Sequence, residues 1–207
     1  APKAKNKFLA GCQTAFGWFL NVYIEIFRGT PMIVQSMVIF YGSAQAFNIS
    51  LDRTWAAIFI VSINTGAYMS EIVRGGILAV DPGQFEAATA LGMTHGQTMR
   101  KVVLPQVVRN ILPATGNEFV INIKDTSVLN VISVVELYFT GNTVATQNYQ
   151  YFPTFTIIAV IYFVLTFTIT RILRYIERRL DSDTYTTGAN QMQVNEVKSV
   201  SYTHLTL

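Results

Sequence analysis

The sequence predicts an all-α protein that crosses a membrane several times. Only 13% of its 207 residues are charged and 51% are hydrophobic, whereas an ordinary soluble domain carries about 25% charged residues. Long stretches without charge alternate with short clusters of basic residues. Apolar stretches that can cross about 30 Å of hydrocarbon as helices are typical of a polytopic membrane bundle.

We predict four membrane-spanning helices, at 31–47, 54–73, 112–135 and 154–170. Each is long enough to cross most or all of the hydrocarbon at about 1.5 Å per residue. The third differs from the others, because it contains Glu118, Lys124 and Asp125. The fourth has no charge and leads into a cluster of arginines. The sequence therefore predicts three apolar spans and one polar span.

The placement of lysine and arginine predicts the orientation, since cytoplasmic loops are enriched in these residues. If the segment 75–110 is cytoplasmic, all 15 basic residues except Arg53 and Lys124 fall on the cytoplasmic side. The opposite orientation would place the same residues outside. We therefore expect the loop 75–110 and the C terminus to be cytoplasmic, with 48–53 and 136–152 on the outer side.

The chain divides into three parts by composition. Residues 1–22 are basic and mixed, and we expect them to form a cytoplasmic or interfacial lead-in. Residues 23–180 contain the predicted spans. Residues 181–207 change abruptly to polar composition, which is typical of a flexible tail.

Composition also limits the chemistry. The single cysteine, Cys12, excludes an intramolecular disulfide framework, and no Cys/His cluster predicts a metal site. The basic residues lie beside the predicted spans and not in a patch with interleaved aromatics, so we expect no nucleic-acid partner. The sequence contains no recognisable pairing of a nucleophile with a base, so we predict no catalytic residues.

Two short helices with defined ends are predicted between the second and third spans. Asp81 is placed to cap the first helix, and Pro82 suits its first position. Gln84 would complete a capping box with Asp81. Gly92 supplies the permissive backbone that a helix end requires.

The second short helix begins at another capping box, formed by Thr94 with Gln97, and Pro105 predicts the next break or kink. A charged, capped helix pair on the basic side of a membrane protein is typical of a docking surface for a soluble partner. The alternative is an amphipathic helix that lies on the lipid headgroups.

The same block contains a spaced motif: Glu-Ala-Ala, three residues, Gly, nine residues, a branched aliphatic, any residue and Leu-Pro. Its positions are Glu86, Ala87, Ala88, Gly92, Val102, Leu104 and Pro105. The block 81–105 resembles the EAA loop of binding-protein-dependent ABC importers, with Val102 where Ile is commoner. The resemblance implies that six of these residues couple the chain to a separate ATPase: Glu86, Ala87, Ala88, Gly92, Leu104 and Pro105.

Three further stretches resemble the polar amino-acid branch of these permeases: YIEIFRGTPMIVQ at 23–35, NTGAYMSEIVRGGI at 64–77 and GNEFVINIKDTSVLNVI at 116–132. The resemblance implies the helical bundle of a type I ABC importer permease, with cytoplasmic coupling helices, in the bacterial inner membrane. That branch usually has five spanning helices, so we expect the first to be missing from this chain.

Two predicted spans each place polar residues on one face. Asn64 and Tyr68 are four residues apart in the second span. In the third span, Glu118, Asn122 and Asp125 share one face. Polar groups at membrane depth are costly unless they face a cavity, water or a partner, and the resemblance implies that these two helices line the substrate path. Alternatively, Asp125 marks a helix break near the outer surface, and Glu118 lies near the inner one.

The arginines after the last span allow two interpretations. They are Arg171, Arg174, Arg178 and Arg179. The first interpretation is that they anchor the helix at the headgroups. The second is a specific lipid site.

The sequence thus predicts the transmembrane permease subunit of an ATP-binding-cassette importer for polar amino acids. The chain has no G-x-x-x-x-G-K-[ST] sequence, so ATP and Mg²⁺ would be bound by a separate ATPase, with no cofactor in this chain. Expected partners are ABC ATPase subunits, a periplasmic or lipid-anchored substrate-binding protein, a second permease subunit (a second copy or a paralogue) and membrane lipid. The alternative is a secondary transporter or channel that uses intramembrane carboxylates. A membrane-bound enzyme has little support.

Overall fold

The computed structural model describes the backbone of residues 7–203 and the side chains of residues 10–179. Every regular element in this described part is helical, which confirms the all-α prediction. The α-helices are α1 (Lys7–Gly29), α2 (Met32–Phe47), α3 (Arg53–Leu78), α4 (Pro82–Ala90), α5 (His95–Thr98), α6 (Leu104–Asp125), α7 (Leu137–Asn148) and α8 (Tyr151–Thr203). A π-helical turn (Met99–Val103) joins α5 to α6, and a 3₁₀ segment (Thr126–Ile132) follows α6.

Helix α1 covers most of the stretch that the sequence assigned to a lead-in. Two glycines, Gly11 and Gly17, lie inside it without ending it. A glycine in a helix interior costs only about 1 kcal/mol relative to alanine, which a helix of 23 residues can tolerate. The C-terminal half of α1 packs on α3, where the Tyr23 hydroxyl donates to the Ile63 carbonyl over 2.6 Å. Residues 1–6 lie outside the described part.

Helices α3 and α6 form the antiparallel centre of the bundle. At one end, Gly76 of α3 packs so closely on Ile111 of α6 that a Cβ there would clash. At the other end, Ile60 of α3 is fully buried in a cluster with Leu129 and Ile132 of the 3₁₀ segment. The two helices therefore stay in contact along their length, and the loop between them lies at one end of the bundle.

Helix α8 returns antiparallel to α6. Near its start, Ile158 packs against Gly141 of α7 closely enough to leave no room for a Cβ. Near residue 173, the Leu173 Cδ1 atom lies 3.5 Å from the position of a Cβ on Gly116 of α6. Gly116 lies near the middle of α6. Because the two helices are antiparallel, the part of α8 beyond Leu173 extends toward the end of the bundle that carries the α3–α6 loop.

Two helices among the described residues are long and apolar enough to cross a membrane, Arg53–Leu78 and Tyr151–Arg179. A bent pair, His95–Ile132 with Leu137–Asn148, could form a third span with a 55° bend, and Met32–Phe47 is apolar but shorter. The count of four spans therefore stays a prediction.

The predicted third span, 112–135, differs from the observed helix. Helix α6 ends at Asp125 and gives way to the 3₁₀ segment. Ser133 then adopts a left-handed conformation, with φ of 59°. The position of this change matches the alternative in which Asp125 marks a helix break.

The polar C-terminal segment continues the last helix. The backbone of α8 is helical as far as Thr203. The side chains beyond Arg179 and the residues 204–207 lie outside the described part. The flexibility that composition predicts for 181–207 stays a prediction.

Candidate functional site

Helix α4 begins as its sequence predicts, with one difference. The Asp81 carboxylate accepts a hydrogen bond from the Gly83 amide over 2.7 Å, and Pro82 occupies the first turn. The side chain of Gln84 does not close a capping box; its oxygen faces the Gln106 amide of α6 at 3.4 Å. Asp81 thus caps α4 alone, while Gln84 faces α6.

The end of α4 depends on a glycine. Gly92 has φ of +73°, a backbone conformation that costs a residue with a side chain about 1 kcal/mol or more. Its amide donates to the Thr89 carbonyl over 2.9 Å, and the next amide, of Met93, donates to Ala88 over 3.0 Å. These two bonds close the helix and turn the chain toward α5.

Helix α5 has the predicted capping box. The Thr94 amide donates to the Gln97 side chain over 2.9 Å, and the Gln97 amide donates to the Thr94 hydroxyl over 3.4 Å. The predicted break at Pro105 is not observed, because this proline lies in the first turn of α6, where a missing N–H costs little. The change in geometry comes just before it, in the π turn Met99–Val103.

The helix pair α4–α5 is seated on the base of the bundle by apolar contacts. Val80, Val103 and Val107 are buried together, and Phe85 of α4 and Met99 pack against them. Each of these side chains lies within or beside the α3–α6 loop. The pair is therefore fixed to both central helices, and a force on it would reach α3 and α6 directly.

The residues of the EAA-like motif divide between the surface and the interior. Glu86 and Ala87 are exposed, whereas Ala88 is only 3% exposed and packs inward. Leu104 is 43% exposed and Pro105 is exposed at the start of α6. The coupling surface predicted from the motif thus has Glu86 and Ala87 at its outside, with Ala88 supporting it from within.

One large exposed apolar residue beside this predicted surface is not among the residues that the motif predicts. Leu91, at the C terminus of α4, is 81% exposed. A large aliphatic side chain directly before the helix-ending Gly92 was the signal that could have found it.

The polar residues predicted for the substrate path do not form one cluster. Asn64 is 8% exposed, and its amide donates to the Gln35 side chain over 2.9 Å and to the Phe27 carbonyl at 3.3 Å. Gln35 in turn donates to the same Phe27 carbonyl over 2.9 Å. Asn64 therefore joins α3 to the turn between α1 and α2, instead of facing an open path.

Tyr68 lies beside a group of charged residues near the loop end of α3. The Arg28 guanidinium is 5.7 Å from the centre of the Tyr68 ring and 3.4 Å from the Glu71 carboxylate. Arg74 also pairs with Glu71, at 2.6 Å. Arg28 was not predicted as a site residue, although it belongs to the segment FRGTP that resembles the permease branch.

On α6, Asn122 faces α3. Its side-chain oxygen accepts from the Thr65 hydroxyl over 3.1 Å. Glu118 lies about one turn before Asn122 and Asp125 lies about one turn after it. Both are on the same face of α6 and are partly buried. The structure therefore brings Asn122 together with α3, and it separates this group from Asn64.

The described residues define a class of protein. They form an antiparallel membrane bundle with a capped helix pair seated at one end, and no group of three or more metal-ligating side chains converges in this part of the chain. This is the architecture of a multi-pass membrane protein. The loop 79–103 between α3 and α6, for which the sequence predicts docking of a soluble partner, is called the docking loop.

The chain belongs to the family of binding-protein-dependent transport system inner membrane components, whose model matches residues 8–182. It is similar to the glutamine transport system permease protein GlnP of Escherichia coli (strain K12), with 41% identity over 83% of this chain and 81% of the relative. It is also similar to the arginine transport system permease protein ArtQ of Bacillus subtilis (strain 168), with 38% identity over 81% of this chain and 77% of the relative.

Solved structures agree with this assignment. A crystal structure of an amino acid ABC transporter with histidines superimposes with a TM-score of 0.74 and 41% identity, covering 85% of this chain and 78% of the other. The MetNI methionine ABC transporter, with a TM-score of 0.66 at 20% identity over 87% of this chain and 80% of the other, shows the same fold. The chain is thus a transport permease subunit with the ABC importer permease fold, as the EAA-like motif predicted, and not the secondary transporter or channel of the alternative.

Proposed function

We propose that this permease subunit carries polar amino acids across the bacterial inner membrane and is driven by a separate ATPase that docks on helix α4. The exposed Glu86 and Ala87, on a helix seated against both α3 and α6, carry the proposal. The relatives named for glutamine and arginine transport support the substrate class.

In this mechanism the chain is not itself catalytic. ABC ATPase subunits bind Mg²⁺ and ATP, and their closure moves α4 toward the corresponding helix of a second permease subunit. Because Phe85 and Val103 pack α4 onto α3 and α6, this movement tilts the two central helices. A periplasmic or lipid-anchored binding protein then delivers the amino acid to the side that has opened.

The substrate path in this proposal follows the boundary between α3 and α6. Asn122, Asp125 and Glu118 of α6 supply polar groups along it, and Tyr68 lies at its loop end. Asn64 contributes by holding α3 against the α1–α2 turn, since its amide is engaged by Gln35.

A charge reversal at Glu86 tests the docking surface. In the transporter reconstituted with its ATPase and binding protein, Glu86→Lys should reduce ATPase recruitment and abolish stimulation of ATP hydrolysis by the loaded binding protein. Glu25→Lys reverses another exposed carboxylate, on α1, and should leave both intact. Full stimulation and transport in Glu86→Lys would show that α4 is only an interfacial helix.

The orientation is tested separately by labelling from outside the cell. In a background without Cys12, a cysteine at Thr143 should react with an impermeant maleimide, and a cysteine at Gln97 should not. Reaction at Gln97 alone would reverse the proposed topology and place the C terminus outside.

A further inference from the structure

A second group of polar side chains lies between α6 and α8, away from the α3–α6 boundary and from the docking loop. A cavity of about 260 Å³ between these two helices is lined by three cationic side chains, Lys124, Arg171 and Arg174. Its other lining residues are apolar or carry hydroxyls, and none is acidic. Three like charges around one cavity repel one another, and an anion bound between them would offset this repulsion.

The three cations have no acidic partner within the described residues. The ion pairs there join Glu71 to Arg28 and to Arg74. Arg171 is held over the Phe167 ring, with its guanidinium carbon 4.8 Å from the ring centre, which orients the group without neutralising it.

The helix directions aim these side chains at one another. Side chains on an α-helix tilt toward its N terminus. Since α6 and α8 are antiparallel, Lys124 on α6 points toward the loop end, and Arg171 and Arg174 on α8 point away from it. The side chains therefore converge on the space between them.

The surroundings indicate which anion this cavity accepts. Arg174 lies 20 residues beyond Thr154, the start of the charge-free run, or about 30 Å along the helix, which is the thickness of the hydrocarbon. Toward the middle of that span, Phe163 is 65% exposed and Phe167 is 47% exposed. The cavity thus extends from Arg174, at headgroup depth, toward the middle of the span, where Phe163 and Phe167 also line it and remain exposed.

The neighbouring cavity supplies polar groups for the rest of a headgroup. It has a volume of about 520 Å³ and shares Arg174 with the first. Thr115, whose hydroxyl oxygen is buried without a hydrogen-bond partner, lines it together with Asn117 and Glu177.

We propose that the cleft between α6 and α8 binds an anionic phospholipid, with the phosphate held by Lys124, Arg171 and Arg174 and an acyl chain lying along Phe163 and Phe167. The two cavities are together lined by three cations and by a single carboxylate, that of Glu177. This excess of positive charge favours an anionic lipid over a zwitterionic one. The second interpretation of the terminal arginines thus applies to Arg171 and Arg174.

Quenching of a tryptophan in the cleft tests the proposal. Phe163→Trp is placed in the complete transporter in phosphatidylcholine vesicles that contain a small fraction of brominated phosphatidylglycerol or, separately, brominated phosphatidylcholine. The parent transporter, with Trp18 and Trp55, supplies the background. We expect the local enrichment of phosphatidylglycerol over phosphatidylcholine to be on the order of fivefold or more at low salt.

Two matched variants decide the outcome. Removal of the three lining charges, by Lys124→Gln, Arg171→Gln and Arg174→Gln together, should eliminate the excess quenching by brominated phosphatidylglycerol. Arg178→Gln with Arg179→Gln removes arginines that line neither cavity and should retain the excess. Equal quenching by the two lipids, survival of the excess in the triple variant, or no quenching by either lipid, as when a second subunit fills the cleft, would each overturn the proposal.

Discussion

The docking loop and the interior of the bundle use hydrogen bonds in opposite ways. In the loop, polar side chains bond to backbone groups two or three residues away, as Asp81 does with Gly83 and Thr94 with Gln97. In the interior, partners are distant in sequence: Asn64 meets Gln35, and Thr65 meets Asn122. The loop is therefore shaped by local sequence, and the helix bundle depends on contacts that form only after folding.

The largest loss of stability is expected in the interior of the bundle, at Gly76. Gly76→Leu should lower the free energy of unfolding by about 1–3 kcal/mol, because the added side chain meets Ile111 at the closest approach of α3 and α6. The adjacent Gly75 has open space around it, so Gly75→Leu should be nearly neutral. Thermal unfolding of the purified transporter measures both, and equal losses would show that the close packing does not matter.

The network around Asn64 should come next. Asn64→Leu leaves the Gln35 oxygen without its donor and should cost about 1–2 kcal/mol. Gln35→Leu should cost more, because Gln35 also donates to the Phe27 carbonyl and to Thr30. The double variant should cost less than the sum, because each change removes the same bond. Additive losses in chemical unfolding would mean that the two side chains act independently.

A smaller loss of stability, with a large loss of function, is expected at Gly92. Gly92→Val should cost about 1 kcal/mol locally because of its positive φ, and it should uncouple ATP hydrolysis from the loaded binding protein while membrane insertion continues. Gly96, in α5, has no neighbour within 4 Å and no positive φ, so Gly96→Val is the matched control. Uncoupling by both variants would point to general damage to the loop.

The smallest loss of stability is expected at the α3–α6 boundary. Asn122→Ala removes one hydrogen bond to Thr65, which within a membrane is worth about 0.6 kcal/mol on average. Amino-acid uptake should nevertheless fall by much more than ATPase association, and Asp125→Ala should behave alike. Asn110→Ala, at an exposed position on the same helix, should change neither. Normal saturable uptake by Asn122→Ala and Asp125→Ala would assign both residues a structural role.

The parts of the fold that could be predicted follow this same division. The caps at Asp81 and Thr94 and the turn at Gly92 were predictable, because each signal and its partner lie within a few residues. Helical periodicity also placed Glu118, Asn122 and Asp125 on one face of α6. It could not say which neighbour that face meets, since this depends on how separate helices pack.

Asn64 shows the limit most directly. Its position on α3 predicted a polar face, but its partner, Gln35, lies 29 residues away on another helix. No spacing rule connects the two. Gln35 and Arg28 were missed for the same reason, although a glutamine in the otherwise apolar start of α2 was a visible signal. The break after Asp125 was one of two alternatives at the level of sequence, and the 3₁₀ segment that follows it packs on Ile60, a contact that the sequence alone does not give.

The π turn before Pro105 affects how the docking loop is rotated about the axis of α6. In this turn the Leu104 amide bonds to the Met99 carbonyl, five residues back, so the turn holds one residue more than an α-helix would. One residue corresponds to a rotation of about 100° about the helix axis. Deleting a residue within 99–103 would therefore rotate α5 about the axis of α6 by about that angle and disrupt the apolar contacts that seat α4. The direction in which Glu86 points therefore depends on the length of the chain in this turn as well as on the apolar contacts that seat α4.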